Sequence, residues 1–175
     1  NRAVIDHVEW MLCYMIANGT TPDDVSWAWP RVPFASSEPN ATVYGGFADN
    51  GSGSGDGLGV LETDKVGGLG WAYLTVWKVT KRDTLLEAAK ACADALAKNV
   101  QPGNATFSPW PFRVHAKTGE VQEVYTANTV WSIRLFDDLL SLPPRVELSA
   151  EARARYEGAR EIAWRWQSEF PMRNG

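Results

Sequence analysis

Two helical stripes joined only by Lys81 and Arg82 constrain this chain more than any other feature of its sequence. Val66, Leu69, Tyr73, Leu74 and Trp77 recur at helical spacing and predict a helix over residues 64–80. Leu85, Ala89, Cys92 and Leu96 predict another over 83–99, with Asp83 as its N-cap. So short a link leaves an antiparallel hairpin as the expected arrangement. A second hairpin follows. Val130, Ile133, Phe136 and Leu140 mark a helix over 126–142, ended by Pro143 and Pro144. Ala152, Tyr156, Ala159, Ala163, Trp166 and Phe170 mark its partner, which opens on Ser149 as N-cap. Upstream, Val4, Val8, Met11 and Met15 predict a helix over 2–17, with Gly19 as its stop. Gly67, Gly68 and Gly70 each cost about 1 kcal/mol against alanine in a helix, so a closely approaching neighbour is expected beside them.

Between these helices the chain repeats an aromatic-proline-arginine corner: Trp29-Pro30-Arg31, then Trp110-Pro111-Phe112-Arg113, then Phe170-Pro171-Met172-Arg173. Each follows a helical segment, so the corners are expected side by side on one rim of a helical array. Residues 20–62 hold Pro22, Pro30, Pro33 and Pro39 and a glycine-serine run, and read as one long loop with short strands near 31–35 and 42–47. Thr118-Gly119-Glu120 is a turn between two further short strands, 112–116 and 121–125. The fold class expected is all-α, of antiparallel helical hairpins with short β-strands in the loops, in a single domain over 1–175.

Composition narrows the function. With 45% hydrophobic against 22% charged residues, the chain can bury a full core. Its net charge of -4 argues against nucleic-acid or membrane-surface binding, which calls for a positive excess. No run approaches the roughly 20 apolar residues that span a bilayer. Cys13 and Cys92 lie within helices, as a buried thiol pair or, alternatively, a disulfide; neither reads as a metal ligand. No cofactor or metal is expected. Four of the eight asparagines, Asn18, Asn40, Asn50 and Asn104, begin Asn-x-Ser/Thr triplets, which points to a secreted, extracellular protein. The chain opens directly on helical sequence, as expected of a processed or truncated product.

One family resembles this pattern. The run Glu62-Thr63-Asp64-Lys65-Val66-Gly67-Gly68-Leu69-Gly70-Trp71-Ala72-Tyr73-Leu74, followed by Val79-Thr80-Lys81-Arg82-Asp83-Thr84-Leu85-Leu86-Glu87-Ala88-Ala89 and Ala93-Asp94-Ala95-Leu96, resembles the hairpins of the (α/α) toroid carbohydrate-active enzymes. Val124-Tyr125-Thr126-Ala127-Asn128-Thr129-Val130 is similar to the segment that leads into a helix in the toroid pectate lyases, with Ala127 and Asn128 where that family often has acidic residues. The resemblance covers roughly residues 60–170. It implies part of a six-hairpin (α/α) toroid, with about half of the ring present and a missing segment or second chain covering the open hairpin face. It also implies a polysaccharide or oligosaccharide as the partner.

A lyase acting on an acidic, uronate-containing glycan must neutralise the carboxylate, remove a proton and protonate the leaving oxygen. Arg113, His115 and Tyr125 are the candidate catalytic residues, because Arg113 and His115 alternate along one predicted strand. Trp29, Arg31, Trp110, Lys117 and Arg173 are the candidate substrate-binding residues. Trp29 and Trp110 have an alternative role as plugs at the hairpin ends. A glycoside hydrolase needs two carboxylates across a cleft, for which Asp49, Asp56, Glu62, Asp64, Glu120 and Glu123 are candidates. The leading expectation is a polysaccharide lyase, followed by a hydrolase on the same fold and then a non-catalytic carbohydrate-binding module. His7 is expected at the surface.

Overall fold

The computed structural model describes residues 2–34, 59–144, 146 and 148–171. Among the described residues are five helices, α1 (Arg2–Asn18), α2 (Thr63–Thr80), α3 (Asp83–Asn99), α4 (Val130–Leu140) and α5 (Ala150–Glu169). Three short strands, β1 (Val60–Glu62), β2 (Arg113–His115) and β3 (Val121–Glu123), form an antiparallel sheet in the order β1-β2-β3. Both predicted hairpins form. Lys81 closes α2 in the left-handed conformation at φ 61°, and its N–H returns to the Trp77 carbonyl, so the chain reverses within two residues. Ser149 caps α5 by accepting the Ala152 N–H at 3.1 Å.

The hairpins are stacked in the same sense. Gly67 of α2 lies against Ser132 of α4 and Gly70 against Leu135, so the two first helices run parallel. Tyr156 of α5 donates to Asp94 of α3 at 2.9 Å, and Arg160 of α5 reaches Asp137 of α4 at 2.8 Å, which joins the second helix of one hairpin to both neighbours. The core lies between the four helices. Leu74, Leu85, Ala89, Cys92, Leu96, Leu135, Phe136, Leu139 and Ala163 are wholly buried there. The glycines explain how α2 and α4 come so close. A Cβ on Gly67 would lie 2.8 Å from the Ser132 backbone nitrogen, and one on Gly70 would lie 2.7 Å from Leu135 Cδ2 and 2.8 Å from Cys92 Cβ.

Several local expectations change. The buried face of α1 carries Leu12, with Cys13 and Ile16 packed beside it, whereas Val4, Val8 and Met11 of the predicted stripe are exposed. That helix is apolar on more than one side, so packing against α2 and α3 selects the face. Asp83 is the first residue of α3 rather than its cap, which is Arg82, and acts through its charge at the positive helix end. Helix α4 begins at Val130 because Thr126 hydroxyl accepts the Asn128 N–H at 3.1 Å and holds the preceding residues in a turn; Val130 itself is exposed. Among the described residues of the predicted strand at 31–35, an isolated bridge from Pro33 to Thr20 forms. The predicted strand at 42–47 lies outside the described residues, and β1 forms at the end of the stretch expected as loop. Cys13 and Cys92 are free thiols.

Two measurements check this packing. Gly67→Ala should lower stability by about 1–3 kcal/mol in urea unfolding despite its better helix propensity. Gly68→Ala, whose Cβ would meet nothing nearer than Trp131 Cγ at 3.9 Å, should raise it by up to about 1 kcal/mol. Burial pushes the Cys92 thiol up to about 12, so at pH 8 it stays protonated and should react with a thiol reagent only when the protein unfolds.

Candidate functional site

The segment between the two hairpins meets strand β1 at the end of the bundle where α2 begins and α3 ends. Thr63 opens α2, and its N–H donates to the Phe112 carbonyl at 3.1 Å and its hydroxyl to the Pro111 carbonyl at 2.7 Å. Trp110 donates its indole N–H to the Leu96 carbonyl at 2.8 Å, satisfying one of the acceptors left over at the end of α3. Asn99 donates to the Ala28 carbonyl at 3.0 Å, and Trp29 N–H donates to the Ala116 carbonyl at 3.0 Å. The first two corners thus rest on each other and on the end of α3. Trp29 and Trp110 are buried, at 2% and 1% exposure, so their rings plug the bundle end and offer no face to a ligand.

Arg113 sits at the centre of the sheet. The register sets Glu62 of β1 and Glu123 of β3 on either side of it, and its guanidinium meets Glu62 at 3.1 Å and Glu123 at 2.6 Å. It also lies over the Phe112 ring at 4.2 Å. Glu62 pairs with Lys65 as well, at 2.9 Å. Arg113 and Glu62 are both buried, so the guanidinium is committed to the sheet. His115 is half-buried, with Nδ1 3.1 Å from the Thr118 hydroxyl and 3.3 Å from the Thr118 nitrogen. Lys117 is exposed, and Tyr125 is partly exposed with its ring edge-on to Trp166 at 5.6 Å.

Arg31 lies elsewhere. It lines a cavity with Tyr73 of α2 and with Thr84, Glu87, Ala88 and Ala91 of α3. Arg31 is exposed, whereas Arg113 is buried between its two carboxylates and is not among the residues of that cavity. Arg173, Asp49 and Asp56 lie outside the described residues.

What the loop end does assemble is a shallow depression of about 230 Å³ over the start of α2, lined by Asp64, Lys65, Gly68, Leu69, Asn128 and Trp131. Asn128 donates its amide to the Asp64 carboxylate at 3.2 Å, and the other Asp64 oxygen accepts the Lys65 N–H at 2.8 Å. Trp131 is half-buried; it packs on Trp71 at 5.2 Å between ring centres, and Arg134 lies 5.9 Å over its ring. Asp64 was a hydrolase candidate in the sequence. Trp131 reads there as core, and Asn128 as a departure from an acidic pattern. The signal for both was position, immediately before and within the first turn of a helix whose neighbour begins with three glycines.

Among the described residues no three His, Cys, Asp or Glu side chains come together to hold a metal ion, and no helix is long and apolar enough to cross a membrane. No protein-family model, curated protein or solved structure matches this chain.

The buried ion pair yields a stability test. Arg113→Met takes the guanidinium away from the buried Glu62 and should cost about 3–5 kcal/mol in urea unfolding. Arg113→Met combined with Glu62→Leu should recover most of that loss, because both charges leave the interior together.

Proposed function

We propose that this chain is the helical-hairpin part of a secreted polysaccharide-degrading enzyme of the (α/α) toroid kind, with glycan bound at the end of the bundle that carries the sheet. Parallel stacking of like helices in successive hairpins, with the segment between hairpins at one end, is the arrangement such a ring repeats. The observation that carries the reading is the depression at Trp131. An aromatic ring beside a carboxylate and an amide suits a sugar, whose C–H face packs on the ring while its hydroxyls bond the polar groups.

Between the two reactions, the geometry favours hydrolysis of a neutral glycan over uronate elimination. A lyase needs a cation to offset the substrate carboxylate, and the Arg113 guanidinium is already offset by Glu62 and Glu123. A hydrolase needs carboxylates, and Asp64 borders the depression, with Glu120, exposed beside the turn between β2 and β3, as a candidate for the second acid. Lyase action keeps one support, the 37% exposure of Tyr125, a candidate proton donor at the same end.

Incubating the complete natural protein with neutral and uronate glycans, and following both reducing ends and the absorbance of unsaturated uronates, separates the readings. Reducing ends from a neutral glycan are expected. Asp64→Asn should lower that rate by about a hundredfold or more, and Trp131→Ala should weaken glycan affinity by about tenfold or more. Affinity without product would reassign the chain as a binding module, and neither product nor affinity with any glycan would remove the carbohydrate reading.

A further inference from the structure

A second cavity, of about 300 Å³, opens between the end of α1, the loop over residues 20–34 and the first half of α3. Asp23, Arg31, Tyr73, Thr84 and Glu87 are among its lining residues, and it shares none with the depression at Trp131. Two features there run against what folding alone would select.

Arg31 has a φ of 58°, in the left-handed region that a residue with a Cβ enters at a cost of about 1–2 kcal/mol. The other described non-glycine residue with positive φ, Lys81, closes α2. Arg31 closes no helix. Glycine would relieve the strain at that position, so what arginine adds is its exposed side chain, which borders the cavity.

Tyr73 is 1% exposed, and its hydroxyl is the one buried side-chain polar atom without a hydrogen-bond partner among the described residues. Such a group costs about 1–3 kcal/mol, which phenylalanine of the same shape would avoid. Burial, with smaller contributions from the Cys92 and Cys13 thiols, holds the phenol above its ordinary range, so it remains a donor at ordinary pH.

We propose that this cavity binds a neutral polyhydroxylated ligand of one or two sugar rings, held by Arg31 and supplying the acceptor that the Tyr73 hydroxyl lacks. The lining decides the chemical class. Arg31, Tyr73 and Thr84 offer donors, and Asp23 and Glu87 offer acceptors. Lys90 sits 3.0 Å from Glu87, so two carboxylates face two cations and neither an anion nor a cation is favoured. Hydroxyl groups donate and accept at once and match such a mixed lining. The volume is at the lower end for ligand pockets, which suits a ligand of this size.

Thermal melts and titration calorimetry with glucose, galactose, maltose and cellobiose, and with glucuronate as the anionic arm, test the proposal. At about a hundredfold its Kd, one of the neutral sugars should raise the melting temperature by about 5 °C or more. Tyr73→Phe should melt at or above the parent without ligand, yet bind that sugar about tenfold more weakly. Arg31→Asn, which tolerates left-handed backbone, should keep the parent melting temperature and lose affinity to a similar degree. Asp64→Asn and Trp131→Ala should leave this binding unchanged, which separates it from glycan bound at the loop end. The proposal is overturned if no neutral sugar shifts the parent melt, if glucuronate binds more tightly than every neutral sugar, or if affinity survives both Tyr73→Phe and Arg31→Asn. A Tyr73→Phe variant that melts below the parent would overturn it too, because the hydroxyl would then already have a partner.

Discussion

The Glu62–Arg113–Glu123 ladder is the interaction on which the loop end of this protein depends. It ties the strand that leads into α2 to both strands of the loop between α3 and α4. A buried arginine is tolerable only with its charge matched and its donors occupied, and the register of three short strands provides two carboxylates on opposite sides. With that loop pinned, Pro111 and Phe112 offer their carbonyls to Thr63, and the Trp110 indole reaches the last turn of α3. The same constraint shapes the chemistry. A guanidinium occupied by two protein carboxylates has little attraction left for a third carboxylate from a substrate.

The second constraint is the contact between α2 and α4. Gly67 and Gly70 remove the side chains that would hold the helices apart, and Ser132, Leu135 and Cys92 occupy the space. Weak helix propensity at the start of α2 is accepted in return for close approach. The short contact also brings Asn128 and Trp131, at the entrance of α4, over the first turn of α2, where Asp64 stands. The depression is thus a consequence of helix packing rather than of any one loop.

Much of the helical framework was legible because stripes such as Ala152 to Phe170 and caps such as Ser149 are local signals, set by 3.6-residue periodicity and by hydrogen bonds within one turn. The face of α1 was not, since Leu12 and the exposed Val8 and Met11 are all apolar and only the neighbours choose between them. Strand β1 escaped notice because three residues carry no usable alternation. Arginine, histidine and tryptophan in the corners were visible as residue types. Their partners were not: that Trp110 would donate to Leu96, or that Glu62 would find Arg113, depends on contacts between residues far apart in the chain.

By itself the sequence determined the hairpins: two pairs of amphipathic helices, a two-residue reversal at Lys81 and Arg82, and a glycine-lined face requiring a close neighbour. Those follow from backbone geometry and short-range periodicity, which each segment carries within itself. Only the tertiary structure decided which side chains remain available for chemistry. It buried Trp29 and Trp110, enclosed Arg113 between carboxylates, set Arg31 beside Tyr73 in a separate cavity and left Asp64 and Trp131 together at the loop end. Burial and charge pairing are properties of neighbours in space, and those neighbours are chosen when the hairpins pack.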